Sequence, residues 1–127
     1  MTFEEYQELY KRTRNPNLSW FDEMGNAGMG LAGEAGEVCD LLKKILYHEH
    51  EVDRDKLVDE LGDLMWYLAL TIDAINTALD SKKASPLTLD EILDRNIDKL
   101  RHRYPDGFDR ARSFHRTFKE NVDESVD

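Results

Sequence analysis

The chain has 127 residues, 27 of them acidic and 17 lysine or arginine, for a formal net charge of −10. That length suits one domain with a buried core, and 40% hydrophobic residues with only three prolines and seven glycines exclude a collagen-like or coil-only chain. The acidity excludes a non-specific duplex-binding surface, but not a polyanionic substrate, because a metal ion can stand between carboxylates and phosphates.

No apolar run is long enough to span a bilayer, and the opening MTFEEYQELYKR has no signal-peptide pattern. Cys39 is the single cysteine, so no intramolecular disulfide can form. The expectation is a cytoplasmic protein with neither nucleic-acid nor membrane partners.

The apolar period is close to 3.6 almost throughout. Thr2 and Glu5 form a capping box, and Phe3, Tyr6, Leu9 and Tyr10 supply one stripe. A first helix is predicted over about residues 2–14, stopped by Asn15, Pro16 and Asn17. A second helix starts near Ser19 and runs to about Tyr47. It contains Gly25, Gly28, Gly30, Gly33 and Gly36, each worth up to about 1 kcal/mol of lost helix propensity. Gly25–Gly30 therefore reads as a kink or break, or as a place of close helix approach.

After a polar link at 48–52, a third helix starts at Asp53 and reaches about Leu79. Its segment LMWYLALTI, residues 64–72, is apolar nearly all round, which points to burial against a second subunit. A turn-rich link, Ser81–Pro86, leads to a capping box at Thr88 and Glu91 and a fourth helix to about His102. A short helix over Asp109–Phe118 follows, and residues 121–127 read as a frayed acidic tail. The fold expected is all-α with four main helices, as one domain over residues 1–120.

The second and third helices carry the informative chemistry. Glu34 and Glu37 lie three apart, as do Glu60 and Asp63. Each pair shares a helix face, and antiparallel packing can bring the two faces together. Four close carboxylates repel one another unless a cation joins them, and oxygen-only ligands suit Mg²⁺ or Mn²⁺ better than zinc. Gly33, Gly36 and Gly62 would allow close approach or leave room beside the carboxylates. Acidic residues three apart are also common on solvated helices, so the pairs alone are suggestive.

On the fourth helix, Asn96, Lys99 and Arg103 share a face and can clamp phosphate, with the guanidinium binding in bidentate fashion. Lys43 is a further phosphate candidate. Tyr67, one turn after Asp63, and Trp20, before the glycine-rich segment, are candidate base contacts. Trp66 reads as core or interface packing. Cys39 reads as a small buried residue, and Met24, Met29 and Met65 as packing.

GLAGEAGEVCDLL at 30–42 and KLVDELGDLMWYL at 56–68 resemble the paired EXXE and EXXD motifs of MazG-like nucleotide pyrophosphohydrolases, of the all-α NTP pyrophosphatase superfamily. NIDKLRHRYPDGF at 96–108 is similar to that family's downstream N-x-x-K-x-x-x-R-Y segment. The resemblance covers about residues 30–108. It implies that Glu34, Glu37, Glu60 and Asp63 bind Mg²⁺, and that a nucleoside triphosphate is cut between its α and β phosphates into monophosphate and pyrophosphate. It further implies that Asn96, Lys99 and Arg103 surround the substrate, and that the chain assembles as a dimer or a dimer of dimers. A related enzyme acting on phosphoribosyl-ATP or nucleoside diphosphates, and a non-enzymatic helical oligomerisation module, are the competing expectations.

Overall fold

The structure is a computed structural model and describes residues 1–115. Its elements are α1 (Phe3–Tyr10), a 3₁₀ turn (Lys11–Thr13), α2 (Trp20–Tyr47), α3 (Arg54–Ser81) and α4 (Leu89–Arg103). Residues 110–115 are also helical. No strand occurs among the described residues. The expected helix over Asp109–Phe118 is met as far as residue 115; the rest of it and the acidic tail lie outside the described residues.

Local chemistry sets each helix start. Thr2 accepts from the Glu5 amide while Glu5 Oε2 accepts from the Thr2 amide at 2.7 Å, completing the capping box. Ser19, Asp53 and Thr88 cap α2, α3 and α4 through their side-chain oxygens. The chain forms two compact units, Met1–Leu87 and a second from Thr88 onward.

In the first unit α2 and α3 are long helices joined by the connection at 48–53, and they pack together. The glycines do not break α2, which runs unbroken over 28 residues. Its Ala27 is buried, and Leu31, Glu34, Val38, Leu41 and Ile45 are half-buried on one stripe. Packing of that stripe outweighs the weak propensity of the glycines.

Only Gly30 is at a close approach. A Cβ there would overlap the ring of Tyr67, whereas Gly25, Gly28, Gly33, Gly36 and Gly62 each have nothing within 4 Å of a built Cβ. Gly33, Gly36 and Gly62 thus leave room beside the carboxylates.

The core is Tyr10, Ala27, Ala69 and Leu70, with Phe3, Tyr6, Trp66 and Tyr67 packed against it. Tyr10 meets Trp66 edge-on at 5.7 Å, and Trp66 Nε1 donates to Thr13 Oγ1 at 2.7 Å. Trp66 is therefore core packing, and α1 with its 3₁₀ turn covers the middle of α3. That corrects the expectation for residues 64–72: Ala69, Leu70 and Ile72 are buried within the chain, and Met65 is the one large apolar side chain there classed as exposed. The uncovered apolar surface lies elsewhere in the unit. Met24 and Met29 are exposed on α2, as is Cys39, against the expectation that they are packing residues and a buried cysteine.

The far end of this unit holds a polar network that sequence reading missed. Arg14 Nη2 pairs with Glu23 Oε1, and Arg14 Nη1 stands 3.6 Å from Asp73 Oδ2. Asp73 also accepts from the Tyr10 hydroxyl and from Gln7 Nε2 at 3.2 Å. Burial and then the Asp73 hydrogen bond push the Tyr10 pKa strongly up. Desolvation works to lower the Arg14 pKa, and the hydrogen bond and charge of Glu23 outweigh it.

In the second unit, α4 is amphipathic. Ile92, Leu93, Ile97 and Leu100 line its apolar side, and Arg112 Nη1 donates to the Arg103 carbonyl at 3.5 Å.

Candidate metal centre

Antiparallel packing of α2 and α3 places Glu34 opposite Glu60 and Asp63. One carboxylate oxygen from each lies within 4.8 Å of the others. Glu34 and Glu60 are half-buried and Asp63 is exposed. The Glu34 pKa is raised, first by partial desolvation and then by the charges of Asp63, Glu60 and Glu37. Glu37 thus stands near enough for its charge to act on Glu34, although it is outside the three-residue set. No cation side chain is paired with these carboxylates among the ion pairs of the described residues. An uncompensated oxygen cluster of this kind fits a hard divalent cation.

The sign of the pH effect follows from the raised pKa. The unfolded value is 4.5, and the folded Glu34 lies above it. Between the two, the folded state holds more protons than the unfolded state. The Glu34 contribution favours folding below pH 4.5 and is lost as pH rises through the folded pKa. Metal-free protein should therefore show a declining contribution from this site over that window, and Mg²⁺ should reverse it. Melting temperature against pH, in chelator and in Mg²⁺, checks this. Asp40 behaves oppositely: hydrogen bonds from Lys44 and Lys43 hold its pKa down at about 2.

One helical turn from the cluster, Tyr67 seals the two helices together. Its ring packs on Gly30 and meets Trp66 at 4.9 Å. Gly30→Ala should destabilise the fold by about 1–2 kcal/mol, because overpacking outweighs the gain in helix propensity. In a Tyr67→Ala background the same change should become neutral or stabilising. Chemical denaturation of the four proteins of this cycle measures the coupling.

Tyr6 on α1 was not singled out in the sequence. Burial first, and then the charge of Asp63, push its pKa up, so α1 brings a phenol into range of the cluster. It stacks on Tyr10 at 5.8 Å. Its position in the apolar stripe of the first helix was legible; its neighbour on α3 was not.

The remaining predicted residues are placed as follows. Lys43 pairs with Asp40 at 3.0 Å. Trp20 is at the start of α2, meets Phe21 at 5.9 Å, and stands about 20 Å of helix rise from Glu34. It is not brought to the cluster. Asn96, Lys99 and Arg103 share α4 in the second unit.

The family model of the MazG nucleotide pyrophosphohydrolase domain matches residues 26–108. The chain belongs to the MazG nucleotide pyrophosphohydrolase domain family. The match takes in every carboxylate of the cluster and the α4 set, and leaves α1 outside it. The chain is also 38% identical over 79 residues to the Gene 37 protein of Mycobacterium phage L5. That similarity covers 59% of this chain and 60% of the phage protein, so the chain spans about 60% of the length of this relative. No solved structure gives a significant match.

The chain is all-helical over its described residues, as the family's all-α fold leads one to expect. None of its described helices is long and apolar enough to cross a membrane.

Proposed function

We propose that the protein is a Mg²⁺-dependent nucleoside triphosphate pyrophosphohydrolase that cuts between the α and β phosphates, releasing nucleoside monophosphate and pyrophosphate. The carboxylate cluster of Glu34, Glu60 and Asp63, set within a MazG domain, is the observation that carries this reading. With Glu37 as the fourth carboxylate, these residues would hold Mg²⁺, or Mn²⁺ in its place. The cation supplies charge neutralisation and polarisation of the phosphoryl group when bound.

The chain's own residues do the rest. One carboxylate accepts a proton from the attacking water. Asn96, Lys99 and Arg103 on α4 bind phosphate oxygens, the guanidinium in bidentate fashion and the ammonium as a point charge. Lys43 and Tyr67 complete the proposed substrate set, with Tyr67 also packing the helix pair; Trp20, about 20 Å of helix rise from Glu34, falls outside it. Residues 1–120 act as one pyrophosphohydrolase domain, in a dimer or dimer of dimers. The lone cysteine suits work in the reducing cytoplasm.

A product-resolved assay across normal and damaged nucleoside triphosphates, with and without Mg²⁺, tests the reading. Monophosphate and pyrophosphate should appear only with the cation. Release of orthophosphate alone, or turnover confined to phosphoribosyl-ATP or nucleoside diphosphates, would overturn it.

A further inference from the structure

Between the carboxylate cluster and the connection of α2 to α3, the first unit has a hollow of about 840 Å³. Leu41, Ile45, Val52 and Leu57 give it apolar walls, and Lys44 and Lys56 line it beside them. Of the acidic side chains there, Asp53 caps α3, Asp55 pairs with Arg54, and Glu51 is exposed.

Both lysines stand next to the cluster along their helices. Lys56 is four residues before Glu60, one turn nearer the connection. Its ammonium makes no ion pair among those of the described residues. Lys44 is seven residues after Glu37, but its side chain folds back, with Nζ 2.5 Å from Asp40 Oδ2. Asp40 is only three residues past Glu37, about 4.5 Å of helix rise. The ammonium is thereby held about one turn from the cluster. The Lys44 pKa is raised, first by the hydrogen bond to Asp40, then by its charge, with the charge of Glu37 adding to both. Lys44 is half-buried, as Glu34 is, whereas Lys43 is exposed.

The cluster therefore has two unlike sides. Away from the connection, the Tyr67 ring packs on Gly30, each four residues from a cluster carboxylate. Toward the connection, two ammonium groups flank an open hollow. A nucleoside polyphosphate has the same asymmetry, with a ring system at one end and most of its charge at the other.

We propose that the hollow receives the distal phosphates of the substrate and the pyrophosphate that leaves, with Lys44 and Lys56 as their cations. This rests on the proposed cut between the α and β phosphates. It sets the direction of the substrate along the helix pair, nucleoside toward Tyr67 and polyphosphate toward the connection. In the reaction, the water oxygen bonds to the α phosphorus and a cluster carboxylate takes the water proton. The bond from that phosphorus to the bridging oxygen breaks, and its electron pair leaves on pyrophosphate. The two ammonium groups meet the charge that gathers there. An ammonium has three protons, so Lys44 keeps Asp40 and still donates to a phosphate oxygen.

Calorimetry reads this site without turnover. Magnesium pyrophosphate and, separately, a nucleoside monophosphate are titrated into the full chain at saturating Mg²⁺. Lys44→Met should weaken pyrophosphate binding about 10-fold, and Lys44→Met with Lys56→Met about 100-fold, while monophosphate binding moves by less than about twofold. Lys44→Arg keeps the charge and should recover most of the affinity. Lys11→Met makes the same change of charge on α1, at a lysine paired with Glu8, and should affect neither ligand. A wild type that binds no pyrophosphate, unchanged binding in the double variant, or equal weakening of both ligands would overturn the assignment. Product analysis of steady-state hydrolysis stands apart from this titration. Turnover by the wild type without pyrophosphate release would refute the cleavage reading, whereas normal release with unchanged pyrophosphate binding in the double variant would refute only the hollow.

Discussion

Replacing Glu60 with glutamine is expected to give a folded protein whose nucleotide hydrolysis falls on the order of 10³-fold. The amide keeps the size of the side chain and removes a negative charge from the cluster with Glu34 and Asp63. In the absence of metal that removal relieves repulsion, so the variant should melt no lower than the wild-type protein. Mg²⁺ should raise the wild-type melting temperature, because a ligand that binds only the folded state stabilises it by mass action. The same addition should leave Glu60→Gln nearly unmoved. Calorimetry with Mn²⁺ and a steady-state pyrophosphate assay separate the two effects. Full turnover in the variant would remove Glu60 from the proposed metal set.

Arg14→Met is expected to cost about 3 kcal/mol of folding stability. Glu23 is only 5% exposed, and Asp73 shares the same guanidinium. Without Arg14, two carboxylates face each other and the Tyr10 hydroxyl across a poorly hydrated end of the bundle. The melting temperature should fall by roughly 10 °C for a domain of this size. Adding Glu23→Gln to Arg14→Met should recover part of the loss by removing one stranded charge. Thermal unfolding of the single and double variants in chelator measures this without interference from the metal site. Hydrolysis at low temperature should survive Arg14→Met, because Glu23 lies about three helical turns before Glu34 along α2.

Helix existence was legible in residues near each terminus. Thr2, Ser19, Asp53 and Thr88 each supply a side-chain oxygen to an amide that has no partner within its own helix, and that chemistry is local. The pairing of Glu34 with Glu60 and Asp63 was also within reach. Spacing puts each pair on one face, and a short connection makes the two helices antiparallel neighbours.

The glycines were ambiguous because propensity speaks only of an isolated helix. Whether Gly30 breaks α2 or admits the Tyr67 ring depends on what stands opposite, and that residue is far away in sequence. The apolar stretch at 64–72 misled for the same reason: hydropathy records the demand for cover but not its source, and α2, with the aromatic side chains of α1 beside it, turned out to supply it.

Two results came only from tertiary structure. The network of Arg14, Glu23 and Asp73 joins three elements, and ordinary surface composition conceals it until those elements pack. The approach of Tyr6 to Asp63 likewise arises from how α1 lies on α3.

The sequence by itself determined the helices, their caps and the residue types able to bind a cation, because those follow from period, local hydrogen bonding and charge. Tertiary structure decided which carboxylates converge, which glycine is in contact and which face of α2 stays uncovered. Those depend on distances between residues far apart in the chain.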